Sequence, residues 1–425
     1  MFKKPLIAVL LIFISGISAL SQTGKFYLSQ FYPESNEIDN QNFDLIQDRY
    51  GVVYIANRAG VVTFDGHQWN LIKTPYSIFS MAIDSTNNML YVAGKEGVGR
   101  IALNEQQELK FDAFLGDDNE QLRDIFTLLL HDGELYFNNS ESIFIYNFKS
   151  KTLDRLSAGY TGELLQLFLF KDEVYVNTSV SGVKLIAKDK LQNPSELILA
   201  DQNVTLLVQN NSKEEYLVGF SDNQLSTYKN GVLKPIDLKR NQNYLDDAEV
   251  IEGLWVNDSL VAVSTLKGGV VFVNIKTAKI EEIVNYQSGL PDNEVYALSM
   301  DSNNGVWVAH SEGFTRISPT FPFRNFNRYP GLEGKILTVV RHEGKLYVGT
   351  TLGLYHLDEV RQYSEKVSYS KKRIKVSVQQ DEIEQRPKRG VFNFLRRKKS
   401  IDKPTSEYKE KVIYESVIEK NLEGV

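Results

Sequence analysis

The sequence predicts an all-β fold: a β-propeller of four-stranded blades of about 42 residues. Three observations point there. The best-ordered stretch, GLPDNEVYALSMDSNNGVWVAHSEGFTRIS at 289–318, reads as three short period-2 strands joined by Asp, Asn and Gly turns, the sequence form of an antiparallel meander. That pattern recurs along the chain. And 22 Tyr and 23 Phe against 4 Met and 3 Trp favour sheets over helix bundles.

Taken in order, residues 1–21 are a targeting segment. Lys3 and Lys4 begin it, a continuous apolar run covers 6–17, and Ala19 and Ser21 offer small residues for cleavage after Ser21. The run is shorter than the ~20 residues a membrane helix needs. The expected product is exported, periplasmic or on the cell surface. The chain has no cysteine, which excludes disulfides, thiolate catalysis, Cys-based zinc sites and a lipoprotein anchor. A net charge of −6 argues against a nucleic-acid surface.

KFYLSQFYP, at 25–33, is the candidate for an N-terminal strand that closes a ring. Copies of the meander follow at 42–66, 79–101, 125–146, 164–186, 204–228, 250–273, 289–318 and 336–357. Aligned on their second strands, their anchors are Tyr54, Tyr91, Tyr136, Tyr175, Leu217, Ala262, Trp307 and Tyr347. The spacing averages about 42 residues, a propeller period. A flat stack of sheets is the alternative, and radial closure is preferred because it protects the strand edges. Eight copies with a closing strand favour seven blades, the eighth copy completing the ring or opening another, and eight blades stay open. The propeller domain is therefore drawn over 22–358. Residues 359–425 form a basic insertion or the start of a further blade, cut off mid-blade. The densest part, RPKRGVFNFLRRKK at 386–399, holds seven Lys or Arg and no acid, and is expected to stay solvated and disordered.

Chemistry-bearing motifs are missing. His67, His131, His310, His342 and His356 have no partners at metal-ligating spacing, and there is no GxSxG, HExxH or P-loop. GKEGVG at 94–99 joins two strands, where glycine serves a hairpin. The paired carboxylates Asp117 and Asp118, and Asp246 and Asp247, fall in loops between blades. Neither an enzyme nor a cofactor is expected. A propeller does predict a face, because the loop leading into the first strand and the hairpin after the second open on the same side. The hairpin residues on that side are Arg58, Lys95, Glu96, Glu141, Lys267, His310 and Glu312, and these are the candidate ligand contacts.

The repeat resembles the two-component regulator propeller family. Gly289, Leu290, Pro291 and Asn293 match its opening, Asp301 and Gly305 its turn, and Trp307 its aromatic. Asp48, Gly51, Tyr54 and Gly60 match in the first copy, and Tyr347, Val348, Gly349, Thr350, Gly353 and Leu354 in the last. The copies from 125 to 273 depart, with Asn138, Asn177 and Val263 at small-residue positions. The resemblance implies an extracytoplasmic sensor, the input part of a signalling protein whose β-sandwich, membrane helix and kinase or DNA-binding regulator lie outside this chain. It implies a small-molecule or oligosaccharide ligand, is compatible with a homodimer, and allows membrane contact only through the C-terminal part outside this chain; the net charge and the expected export argue against a nucleic-acid partner. An exported lyase or hydrolase acting on polysaccharide, or a scaffold without signalling, are the competing readings.

Overall fold

A computed structural model describes residues 24–33, 35–115, 122–159, 162–188, 190–195, 204–212, 214–325 and 332–357, and the backbone of Ser364–Ser377 and Tyr408–Asn421. The targeting segment, the basic run 386–399, and Asp117 with Asp118 lie outside the described residues.

Between Thr23 and Arg328 the chain forms seven four-stranded antiparallel sheets. Six are continuous in sequence and fall within residues 42–73, 78–112, 127–157, 164–192, 204–235 and 250–284; we number them blades 1 to 6. Blade 7 takes Val295–Met300, Val306–His310 and Gly313–Ser318, and its fourth strand comes from the other end of the chain. Tyr27–Phe31 pairs antiparallel with Gly313–Ser318, from Tyr27 opposite Ser318 to Phe31 opposite Phe314. The expected closing strand is therefore in place. An isolated bridge between Lys25 and Asn325 extends the seam.

Each sheet is short and two-sided, so it must bury both faces against neighbours. Seven apolar clusters do this, one at each blade junction. Leu45, Val53, Ile55 and Val62 of blade 1 meet Ala297, Trp307 and Ala309 of blade 7, and Tyr54 and Ala56 meet Met81 and Val92 of blade 2. The series continues through blades 3, 4 and 5 to blade 6 and back to blade 7. The clusters return to their starting blade, so the ring is closed.

Closure corrects one boundary. The expected domain ran to residue 358, but the ring is complete without the eighth copy, because the N-terminal strand already supplies the last edge. The eighth copy folds as a separate three-stranded sheet of Ile336–His342, Lys345–Thr350 and Gly353–Leu357, in a second unit that also contains the ladder of Ser364–Ser377 with Tyr408–Asn421.

Candidate ligand-binding face

In several blades the loop leading into an innermost strand and the hairpin joining the second and third strands are tied together by backbone hydrogen bonds. Arg58 N–H donates to Gln41 C=O, Glu96 N–H to Arg123 C=O, Ser179 N–H to Glu163 C=O, and Leu266 N–H to Glu249 C=O. These bonds span neighbouring blades or the two ends of one blade, and they set both kinds of loop on one face of the ring.

At that face the innermost strands carry a feature that period-2 reading does not give. In blades 1, 2, 5, 6 and 7 the first strand is bulged near its start, at Phe43, Phe79, Thr205, Ile251 and Tyr296. In blade 4 the irregularity spans Leu165 and Gln166. In blade 3 Phe126 takes the same place, its N–H donating to Asn138 C=O just before the strand. A bulge leaves one residue out of the ladder and re-aims its side chain.

The released rings meet one another from blade to blade. Phe43 and Phe79 lie 5.0 Å apart edge to face, Phe43 and Tyr296 6.3 Å apart, and Phe79 and Phe126 6.3 Å apart and nearly parallel. Rings from the innermost strands of four successive blades can form such a chain only around the axis. Tyr296, Phe43, Phe79 and Phe126 thus make an aromatic arc at the channel mouth, and Leu165, Thr205 and Ile251 occupy the same position on the remaining blades. Phe126 is 50% exposed and Leu165 42%, which leaves a large apolar surface open to solvent.

Next to the arc stand two carboxylates. Asp44 accepts the Met81 N–H of blade 2 through Oδ2 at 2.7 Å and the Leu45 N–H through Oδ1. Glu252 of blade 6 accepts the Leu298 N–H of blade 7 through Oε2 at 2.8 Å. The innermost strand of a blade has no further strand to pair with, and a carboxylate from the preceding blade satisfies an amide on that free edge. Protein encloses both groups, yet both keep partial solvent exposure. Burial pushes Asp44 up to about 6 against the pull of its two N–H donors. Burial, with the Asp44 charge added, pushes Glu252 up to about 8.

A cleft of about 730 Å³ continues from Phe126 between blades 2 and 3, walled by Tyr76, Val98, Phe111, Leu122 and Arg123, with Glu96 at its rim. Tyr76 and Phe111 pack edge to face within it, their centroids 5.5 Å apart.

The sequence-predicted contacts divide among these places. Glu96 is exposed in the cleft, and Glu141 pairs with Arg123 beside it. Lys95, Arg58 and Glu312 are exposed at their own hairpins, and Lys267 is paired with Glu249. His310 is the exception and requires correction: it is fully buried. Its Nδ1 accepts the Glu312 N–H and its Nε2–H donates to Thr315 Oγ1 at 2.9 Å, so it braces the hairpin from within. Burial lowers it to about 4, which keeps the ring neutral. Asp246 is exposed on the short helix Gln242–Ala248, where it accepts from Gln242.

The aromatic arc and the carboxylates escaped sequence reasoning. The signal that could have found them is a column of the aligned repeats. The second residue of each innermost strand, or in blade 3 the residue just before it, reads Phe43, Phe79, Phe126, Leu165, Thr205, Ile251 and Tyr296, bulky at nearly every copy where strict alternation would not require it.

Comparison with known proteins agrees with this geometry. Residues 289–312, the first two strands of blade 7 with the loop and hairpin that flank them, match the model of the family described as "Two component regulator propeller". One repeat of the ring, in blade 7, matches that family. Among solved structures, the propeller is similar to the extracellular domain assigned to the hybrid two component system BT3049 of B. thetaiotaomicron. The TM-score is 0.60 at 14% identity, over 78% of this chain and 48% of that one. The extracellular domain of the hybrid system BT4673 of the same organism gives 0.55 at 15% identity, over 79% and 46%. Virginiamycin B lyase of Staphylococcus aureus gives 0.53 at 9% identity, over 69% and 99%. At these identities the likeness is one of fold. The chain spans about half the length of the two-component domains it matches. No curated protein sequence matches it significantly.

Proposed function

We propose that the regulator propeller is the extracytoplasmic input module of a two-component-type signalling protein, and that it captures a small molecule or oligosaccharide at the channel mouth. The aromatic arc carries this reading. An open cluster of rings on a rigid ring is poor surface for a free protein and good surface for stacking a flat or saccharide ligand. The regulator propeller repeat and the two extracellular two-component domains among its structural neighbours support the sensor role and a location outside the cytoplasm. The apolar leader at 6–17 supports export. The signal would pass to the rest of the protein through parts outside this chain.

A thermal-shift screen with an oligosaccharide panel tests capture, since a ligand of the native state raises the melting temperature by mass action. Phe126 is half exposed, so Phe126→Ala leaves the ring folded and removes one stacking surface. The expected result is an oligosaccharide whose shift is present in the natural protein and about tenfold weaker in apparent affinity in the variant. A shift that survives both Phe126→Ala and Phe43→Ala places capture elsewhere and overturns the reading.

A further inference from the structure

The channel mouth has a chemical asymmetry that stacking alone does not use. We propose that it selects ligands bearing an ammonium group, which docks against Asp44 and Glu252 beside the aromatic arc. The inference rests on the channel mouth being the capture site and adds the class of ligand.

The argument is one of charge complementarity. Neither carboxylate has a basic partner among the described residues. Of the cations on the same face, Lys267 is engaged by Glu249 and Arg123 by Glu141, while Arg58 and Lys95 stand exposed at their own hairpins. Acids beside Tyr296 add to the deficit: its hydroxyl is raised first by burial, then by the hydrogen bond it donates to Glu294 and by the charges of Glu294 and Asp292. The charged group that acts on Glu252 is Asp44, a second acid, and the two oppose each other's ionisation. The blade between them places Ala297 at the homologous position, and it adds no bulk.

An enclosed pair of acids without a cation is costly to ionise, and an incoming –NH₃⁺ supplies the missing charge with three N–H donors. The arc contributes on the same terms. Aromatic faces attract ammonium groups within about 6 Å, most strongly when water is excluded. A neutral ligand of the same shape could use the rings but not the acids.

Isothermal titration of the whole chain with cyclohexylammonium and glucosamine, against cyclohexanol and glucose as uncharged counterparts, tests the inference. Calcium chloride serves as a separate arm. The amines are expected to bind at least about tenfold more tightly than their counterparts. Cyclohexylammonium, which stays charged throughout, should bind more tightly from about pH 5.5 to about pH 8 as the acids ionise, with proton release detected as a buffer-dependent enthalpy. Glu252→Gln keeps an acceptor for the Leu298 N–H, and it should erase most of the amine preference while leaving the unfolding transition intact. Equal binding of amines and neutral counterparts, unchanged in Glu252→Gln but weakened by Phe126→Ala, overturns the ammonium inference and leaves capture at the arc standing. Equal binding that is also indifferent to Phe126→Ala sinks both. No binding of either amine, or calcium competing as well as the amines, overturns the inference as well.

Discussion

At the scale of single residues, the turn after the innermost strand of blade 7 shows how closely one glycine is specified. Asp301 Oδ1 accepts the Asn303 and Gly305 N–H groups, and its Oδ2 holds Arg316. A Cβ on Gly305 would come within 2.3 Å of the Arg316 guanidinium and 2.5 Å of Asp301 Oδ2. Gly305→Ala should therefore break the Asp301–Arg316 pair and cost about 1–3 kcal/mol in denaturant unfolding, and a neutral result would refute the account. Asp301 and Gly305 were both legible as turn residues from sequence, because their requirement is local. His310 was not legible. Its burial depends on how the hairpin folds back over Thr315, which no spacing in HSEG reveals.

Two buried titrating groups give the stability a defined pH dependence. His310 has a folded value near 4, below its ordinary 6.5, so stability falls as pH drops from about 6.5 to about 4. Glu252 has a folded value near 8, above its ordinary 4.5, so the unfolded chain ionises first and stability is lost as pH rises from about 4.5 to about 8. The slope is at most about 1.4 kcal/mol per pH unit for each group, and Glu252 titrates together with Asp44. Melting temperatures recorded across this range should decline on the alkaline side in the natural protein and flatten in Glu252→Gln. An identical decline in both would remove Glu252 as the cause.

At the scale of the element, the innermost strand is where sequence and structure part most clearly. Strict period-2 alternation would put Tyr296, Leu298 and Met300 on one side of a regular strand. The bulge between Val295 and Ala297 instead frees Tyr296 toward the axis and restarts the ladder. Nothing local marks a bulge, since it is set by how the strand must bend to start beside the channel. It shows only when blades are compared with one another. The closing strand was legible because it is a short aromatic-rich stretch with no partner nearby in sequence. It is also locked from outside its ladder. Phe26 is buried against Phe272 at 4.9 Å, under the Arg324 guanidinium at 4.6 Å, and its N–H donates to Glu282. Phe26→Ala should cost about 3–5 kcal/mol in chemical denaturation, as a large cavity in a core does. A loss below about 1 kcal/mol would mean the seam holds without this anchor.

At the scale of the molecule, the repeat count and the domain boundary were legible only in part. Eight copies were visible, but membership in the ring is decided by which strand completes the last sheet, a pairing between the two ends. It follows that residues 24–328 should fold alone, with a cooperative thermal transition and native circular dichroism. Residues 34–328, lacking the closing strand, should lose cooperativity or aggregate, because blade 7 would then expose a bare edge. If the shorter fragment melts like the longer one, the seam is dispensable.

The seam also imposes an order of events on the chain. Tyr27 leaves the ribosome early and Ser318 some 290 residues later, yet the two are partners. At about 5–20 residues per second the first strand must wait on the order of tens of seconds for its place. Until then blades can form one by one from local hairpins, but the ring cannot lock, and long-range pairing of this kind is slow to form. A chain that must stay threadable while it is being made is, by this one pairing, kept from finishing its fold too soon.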